Sequence, residues 1–173
     1  MNHSTAEQYT AALMRTLSPL CPPDAKPRVS TDTNDKGNEI TEFRIPHPAD
    51  PRFSVTLDIH TVRSMVHTCT LRFGAAEIAG ALSPDDAIPA IEEILAGHIA
   101  AIVRYKTRDA YDNCRMAGSG QKQWLYQLPD DEEAFTGMLK KLRTPAGAWE
   151  KLSGKLTGVF EVFRWDGSEL IER

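Results

Sequence analysis

Between Phe53 and Phe73 the chain reads FSVTLDIHTVRSMVHTCTLRF, and this stretch limits what the rest can become. Phe53, Val55, Leu57 and Ile59 alternate with Ser54, Thr56, Asp58 and His60, the two-residue period of a strand with one buried face. After Thr61–Ser64 the alternation resumes. Met65, His67, Cys69, Leu71 and Phe73 fall on one side, and Val66, Thr68, Thr70 and Arg72 on the other. The spacing predicts a long antiparallel hairpin with an apolar face and a wet face.

The register follows from which face is worth burying. Setting Ile59 opposite His67, Leu57 opposite Cys69, Val55 opposite Leu71 and Phe53 opposite Phe73 keeps the apolar side chains together. Ser54/Arg72, Thr56/Thr70 and Asp58/Thr68 then pair on the solvent side. A one-residue slip would place Asp58 beside His67, an acid–base pair, but would scatter the apolar set. Each large apolar side chain contributes roughly 1.5–3 kcal/mol on burial, against about 0–1 kcal/mol for one exposed Asp–His contact. The apolar register is therefore expected. Thr61-Val62-Arg63-Ser64 contains no Gly, Asn or Asp, an unusual composition for a hairpin turn.

On either side of the hairpin, start and stop signals divide the chain. Ser4 and Glu7 form a capping-box pattern ahead of Tyr9, Ala12, Leu13 and Leu17, which predicts a helix over 5–17; the prolines of 19–23 end it. Residues 24–38 are polar and turn-rich and are expected as a mobile linker. Glu39–Ile45 reads as a short strand, and three prolines within 46–51 as a stiff connection. The segment 75–82 is compatible with either strand or loop. Ser83-Pro84-Asp85-Asp86 is a strong helix start, with Ile88, Ile91, Ile94 and Leu95 inward and Gly97 as the stop. A strand over 98–106, a loop over 107–122 and a second strand over 123–128 follow. A helix opened by Asp130–Glu133 carries Phe135, Met138, Leu139 and Leu142 inward. A short helix over 146–152 and a last strand over 158–165, closed by an Asp166-Gly167 turn, complete the reading. The fold class expected is α+β: a mainly antiparallel sheet of about six strands with helices packed on one face. A single domain of 1–173 is expected, its core spanning 39–173.

Composition narrows function mostly by exclusion. A net charge of −4 argues against a nucleic-acid partner, which calls for a basic face. No apolar run reaches the roughly 18 residues of a membrane span, and no basic, then apolar leader opens the chain. Cys21, Cys69 and Cys114 are odd in number and widely spaced, which suits a reducing cytoplasm. His60, His67 and His98 offer no i, i+4 pair on a helix and no CxxC partner, so neither metal nor cofactor is expected. A nucleophile at Cys69 or Cys114 is chemically possible, but nothing local activates a thiolate. Gly118-Ser119-Gly120-Gln121-Lys122 lacks phosphate-loop spacing. The residues from 104 to 122 are locally basic but diluted by Asp109 and Asp112. The sharper signal is acidic: Asp85 and Asp86, and Asp130, Asp131, Glu132 and Glu133. At helix N-termini such residues contribute about 0.3–1 kcal/mol each; gathered on a surface, they form a docking face for a basic partner. They are the candidate partner-binding residues, and no catalytic residue is assigned.

The acid-opened helix, Trp149-Glu150-Lys151-Leu152, Gly158–Gly167 (GVFEVFRWDG) and the helix–Gly–strand unit Ile91–Val103 together resemble small bacterial α+β proteins of the toxin-immunity kind. That resemblance implies a cytoplasmic protein without catalysis that neutralises a toxin by covering its active surface. Such proteins share no common contact set, so no residue roles come with it. The opening helix, three strands and helix also look like the small acidic type III secretion chaperones, which work as dimers on an extended effector polypeptide. The expected partner is thus a protein, toxin or secreted effector, with the chain a monomer or homodimer; a small cysteine enzyme is the remaining alternative.

Overall fold

A computed structural model describes residues 5–33, 39–78, 81–105, 107–113, 122–127, 131–143 and 159–172. The chain divides into two compact units, Met1–Ala96 and Gly97–Arg173.

The first unit is an antiparallel meander between two helices. Helix α1 (Ala6–Leu17) is followed by strands β1 (Arg28–Thr33), β2 (Glu39–Ile45), β3 (Val55–Val62), β4 (Met65–Phe73) and β5 (Ala76–Glu77), then by α2 (Pro84–Leu95). The strands lie in sequence order in one sheet. Phe43, Ile45, Val55, Leu57, Ile59, Cys69, Leu71 and Phe73 are all buried, the single apolar face that the alternation dictates. Both helices pack against β4 and bury Leu13, Leu17, Ile91 and Ile94.

The hairpin forms with its faces as expected but in a different register. Val55 lies opposite Phe73, Leu57 opposite Leu71 and Ile59 opposite Cys69, with Thr56/Arg72, Asp58/Thr70 and His60/Thr68 on the wet side. This is two residues from the expected pairing, so no side chain of β3 changes face. The cause is the turn. Only Arg63 and Ser64 connect the strands, both at positive φ (51° and 65°), as a tight two-residue loop requires. That loop alone would pair residues of opposite faces. A bulge between His60 and Thr61 restores the match, leaving His67 without a cross-strand partner. His67 is accordingly exposed rather than on the apolar face.

Other boundaries moved for identifiable reasons. Thr5, not Ser4, caps α1: its hydroxyl accepts from Gln8 N at 3.3 Å while the Gln8 side chain accepts from Thr5 N at 3.1 Å. Part of the expected linker is strand β1, whose six residues are all exposed; being polar on both faces, it carries no alternation to betray it. Residues 76–77 pair with β4, and Cys69 and Leu82 exchange backbone hydrogen bonds at 2.9 and 2.8 Å. Helix α2 begins as read, Ser83 accepting from Asp86 N, and Gly97 at φ 81° follows its end. Ala87 takes a buried position while Ile88 and Leu95 are half-buried.

The second unit holds β6 (Ile99–Tyr105), α3 (Arg108–Asn113), β7 (Lys122–Gln127), α4 (Asp131–Arg143), β8 (Val159–Arg164) and β9 (Gly167–Glu172). Its sheet runs β7-β6-β8-β9, all antiparallel. Helix α4 lays Phe135, Met138 and Leu139 on Ala100, Ile102, Phe160, Val162 and Ile171. The molecule is α+β, but its strands form sheets of five and four rather than one of about six. The expected turn after 158–165 proves to be a hairpin: Arg164 pairs with Gly167 across Trp165 and Asp166, and β9 follows. The expected helix over 146–152 lies outside the described residues.

Candidate functional site

The strands of the first sheet gather polar side chains on the face away from its apolar core. Register aligns Arg44, Thr56 and Arg72 in one row across β2, β3 and β4, and Glu42, Asp58 and Thr70 in the next. Strand β1 extends the rows with Arg28 beside Arg44 and Ser30 beside Glu42. Within the grid, Arg72 Nη2 donates to both Asp58 carboxylate oxygens at 2.6 and 2.8 Å. Arg44 donates to Ser54 Oγ at 3.2 Å, and His60 Nε2 lies 3.1 Å from Thr70 Oγ1. Among the described residues, Arg72 Nε is buried without a hydrogen-bond partner. A half-exposed ion pair of this kind contributes about 0–1 kcal/mol, too little to be needed for folding. Such a surface offers hydrogen bonds and charge of both signs.

The acidic residues split between the two units. Asp86 accepts the Ser83 hydroxyl at 2.6 Å and is thus part of the α2 cap, whereas Asp85 beside it is exposed. In the second unit Glu132 accepts from Arg164 at 2.7 Å. Glu133 is exposed, and Asp131 opens α4. Asp130 lies outside the described residues. Within each cluster the acids therefore differ: Asp85 and Glu133 are exposed, while Asp86 and Glu132 are engaged locally.

Arg164 was not a sequence-level candidate, yet it organises its neighbourhood. It pairs with Glu132 and with Asp166 (3.1 Å) and stacks over the Phe135 ring, 4.2 Å from the centroid. Glu161 was also missed. It is buried in β8 and accepts from the Tyr105 hydroxyl at 2.9 Å, while Tyr105 meets Tyr111 edge-on at 5.1 Å. A lone carboxylate inside the apolar run Val159–Phe163 (VFEVF) is the signal that marks it, because such a group is buried only when hydrogen-bonded.

For both cysteines among the described residues, burial opposes thiolate formation. Cys69 is fully buried. Burial pushes its thiol up to about 11, partly countered by hydrogen bonding with Tyr9, at an Sγ–O distance of 4.0 Å. Tyr9 donates to Pro84 O at 2.6 Å; burial above all, then Cys69 and Asp85, raises its phenol as well. The half-buried Cys21 thiol is also raised by burial. Cys114 lies outside the described residues. A reactive thiolate needs the opposite environment, exposed and electropositive. His47 Nδ1 accepts from Ala49 N and Asp50 N at 3.2 and 2.9 Å, which makes it a loop clamp. Among the described residues no three His, Cys, Asp or Glu side chains gather as a metal site. Also among the described residues, no helix is long and apolar enough to cross a membrane. No protein-family model, curated protein or solved structure matches this chain.

Proposed function

We propose that this chain is a non-enzymatic binding protein of the toxin-immunity kind, acting in the bacterial cytoplasm by stoichiometric capture of a toxin. The observation that carries the reading is the one-sided first sheet. Its apolar side is filled by Leu13, Leu17, Ile91 and Ile94, and its other side is the grid of Glu42, Arg44, Asp58 and Arg72. A surface of this kind recognises a folded partner through complementary charge. Asp85 and Glu133 add acidic docking points for a basic partner, with Asp86, Asp130, Asp131 and Glu132 beside them in sequence. Neither nucleic acid, membrane nor cofactor is required.

A chaperone of a secreted effector is the second reading, favoured by one feature. Strand β1 leaves an exposed edge, where an extended polypeptide can add a strand.

The test is to identify the proteins encoded on either side of this chain, purify any that carries a toxin domain, mix it with this protein and measure complex mass by light scattering. A one-to-one complex is expected, weakened about tenfold by replacing Asp85 and Glu133 with alanine together, as befits two lost charge contacts. Absence of a complex removes the immunity reading. A complex of unchanged affinity in the double variant removes the acidic docking points alone.

A further inference from the structure

The two edges of the first sheet are treated differently. Along β4 the outer edge is closed: Thr5 bridges Met65, Cys69 and Leu82 bridge each other, and Ile78 N donates to Leu71 O at 2.9 Å. Along β1 nothing among the described residues pairs with the outer side, and all six residues from Arg28 to Thr33 are exposed. An open ladder is a template for another strand.

We propose that β1 is a self-association edge, through which two copies of this chain join antiparallel and merge their five-stranded sheets. The proposal is independent of the toxin reading, since it needs only the first unit. Outward-pointing backbone groups recur at every second residue of an edge strand, so a two-fold antiparallel pairing must be centred on a residue. Charge selects the centre. Centred on Ser30, Arg28 of each copy faces Asp32 of the other and Val29 faces Thr31. Centred on Thr31, Asp32 faces Ser30 and Arg28 is left out.

Within one chain these charges are poorly matched. Arg28 lies directly opposite Arg44, and Asp32 opposite Ile40; like charges in that position repel. The Asp32 Oδ1 atom is occupied by its neighbour's amide, Thr33 N, at 2.8 Å, which leaves Oδ2 for the arginine of a second copy. The pairing would also cover Val29, which is 44% exposed. With the two-fold axis perpendicular to the sheet, the helix-covered sides of both copies fall on the same side, and so do the wet faces. A ladder this short is smaller than the roughly 1,200–2,000 Å² of a stable interface, so the dimer is a weak one.

Sedimentation velocity on the full chain from about 1 µM to about 1 mM, the range in which weak association is resolved, tests the idea. Reversible dimerisation is expected. Arg28→Asp and Asp32→Arg each place like charges across both symmetric contacts and should weaken it about tenfold or more. The double swap R28D/D32R restores complementarity and should restore association. Arg28→Asp also removes the clash with Arg44, so loss of dimer in that variant is not loss of fold. A chain that stays monomeric at the highest concentration overturns the proposal. So does a dimer indifferent to either reversal, or a β1 edge protected from amide exchange only by an added extended peptide.

Discussion

Alkylation of Cys69 is the sharpest test of whether this thiol can serve as a nucleophile. Burial moves the group from the ordinary 9.0 to about 11. At pH 7 that lowers the thiolate fraction from about 1% to about 0.01%, a hundredfold loss of the reactive form. The sulfur is also fully buried, so iodoacetamide must wait for local opening, which slows the reaction further. The experiment compares alkylation rates of native and denatured protein at pH 7, following the peptide that contains Cys69 by mass spectrometry. Native Cys69 should react at least about a hundredfold more slowly than in the denatured chain. A native rate equal to or above the denatured one would refute the reasoning and restore the cysteine-enzyme alternative.

Two further outcomes follow from the same geometry. The raised Cys69 and Tyr9 groups release their protons first in the unfolded chain, so stability is complete below pH 9.0 and falls as pH rises towards about 11. The thiol's share is about 2–3 kcal/mol, read from urea midpoints, and Cys69→Ala should flatten the fall; midpoints constant across that window would contradict the burial argument. Replacing Ser64, at φ 65°, by glycine should raise stability by about 0.5–1 kcal/mol, whereas a loss would show that the turn is not the strained link between β3 and β4.

Much of this was legible from residue patterns where a single face carries the signal. The alternation over 53–73 sorted Asp58 and Arg72 onto the wet side correctly, whereas Thr56, expected beside them, is buried; Ser83-Pro84 marked the start of α2. The register was not legible, because the Arg63–Ser64 turn and the His67 bulge depend on backbone geometry that neither residue type announces. Strand β1 was missed because polar residues on both faces leave no period to detect. Glu132 read as an outward docking acid, yet its partner Arg164 lies far along the chain, and only folding brings them to 2.7 Å. The engaged and outward acids were therefore indistinguishable in sequence.

Binding and catalysis differ in how protection scales with amount. If the proposed toxin partner is captured stoichiometrically, its residual activity, measured while the protein is titrated in, should fall linearly and reach its floor at one equivalent. Complete protection at a small fraction of an equivalent would mean turnover, and would contradict the account.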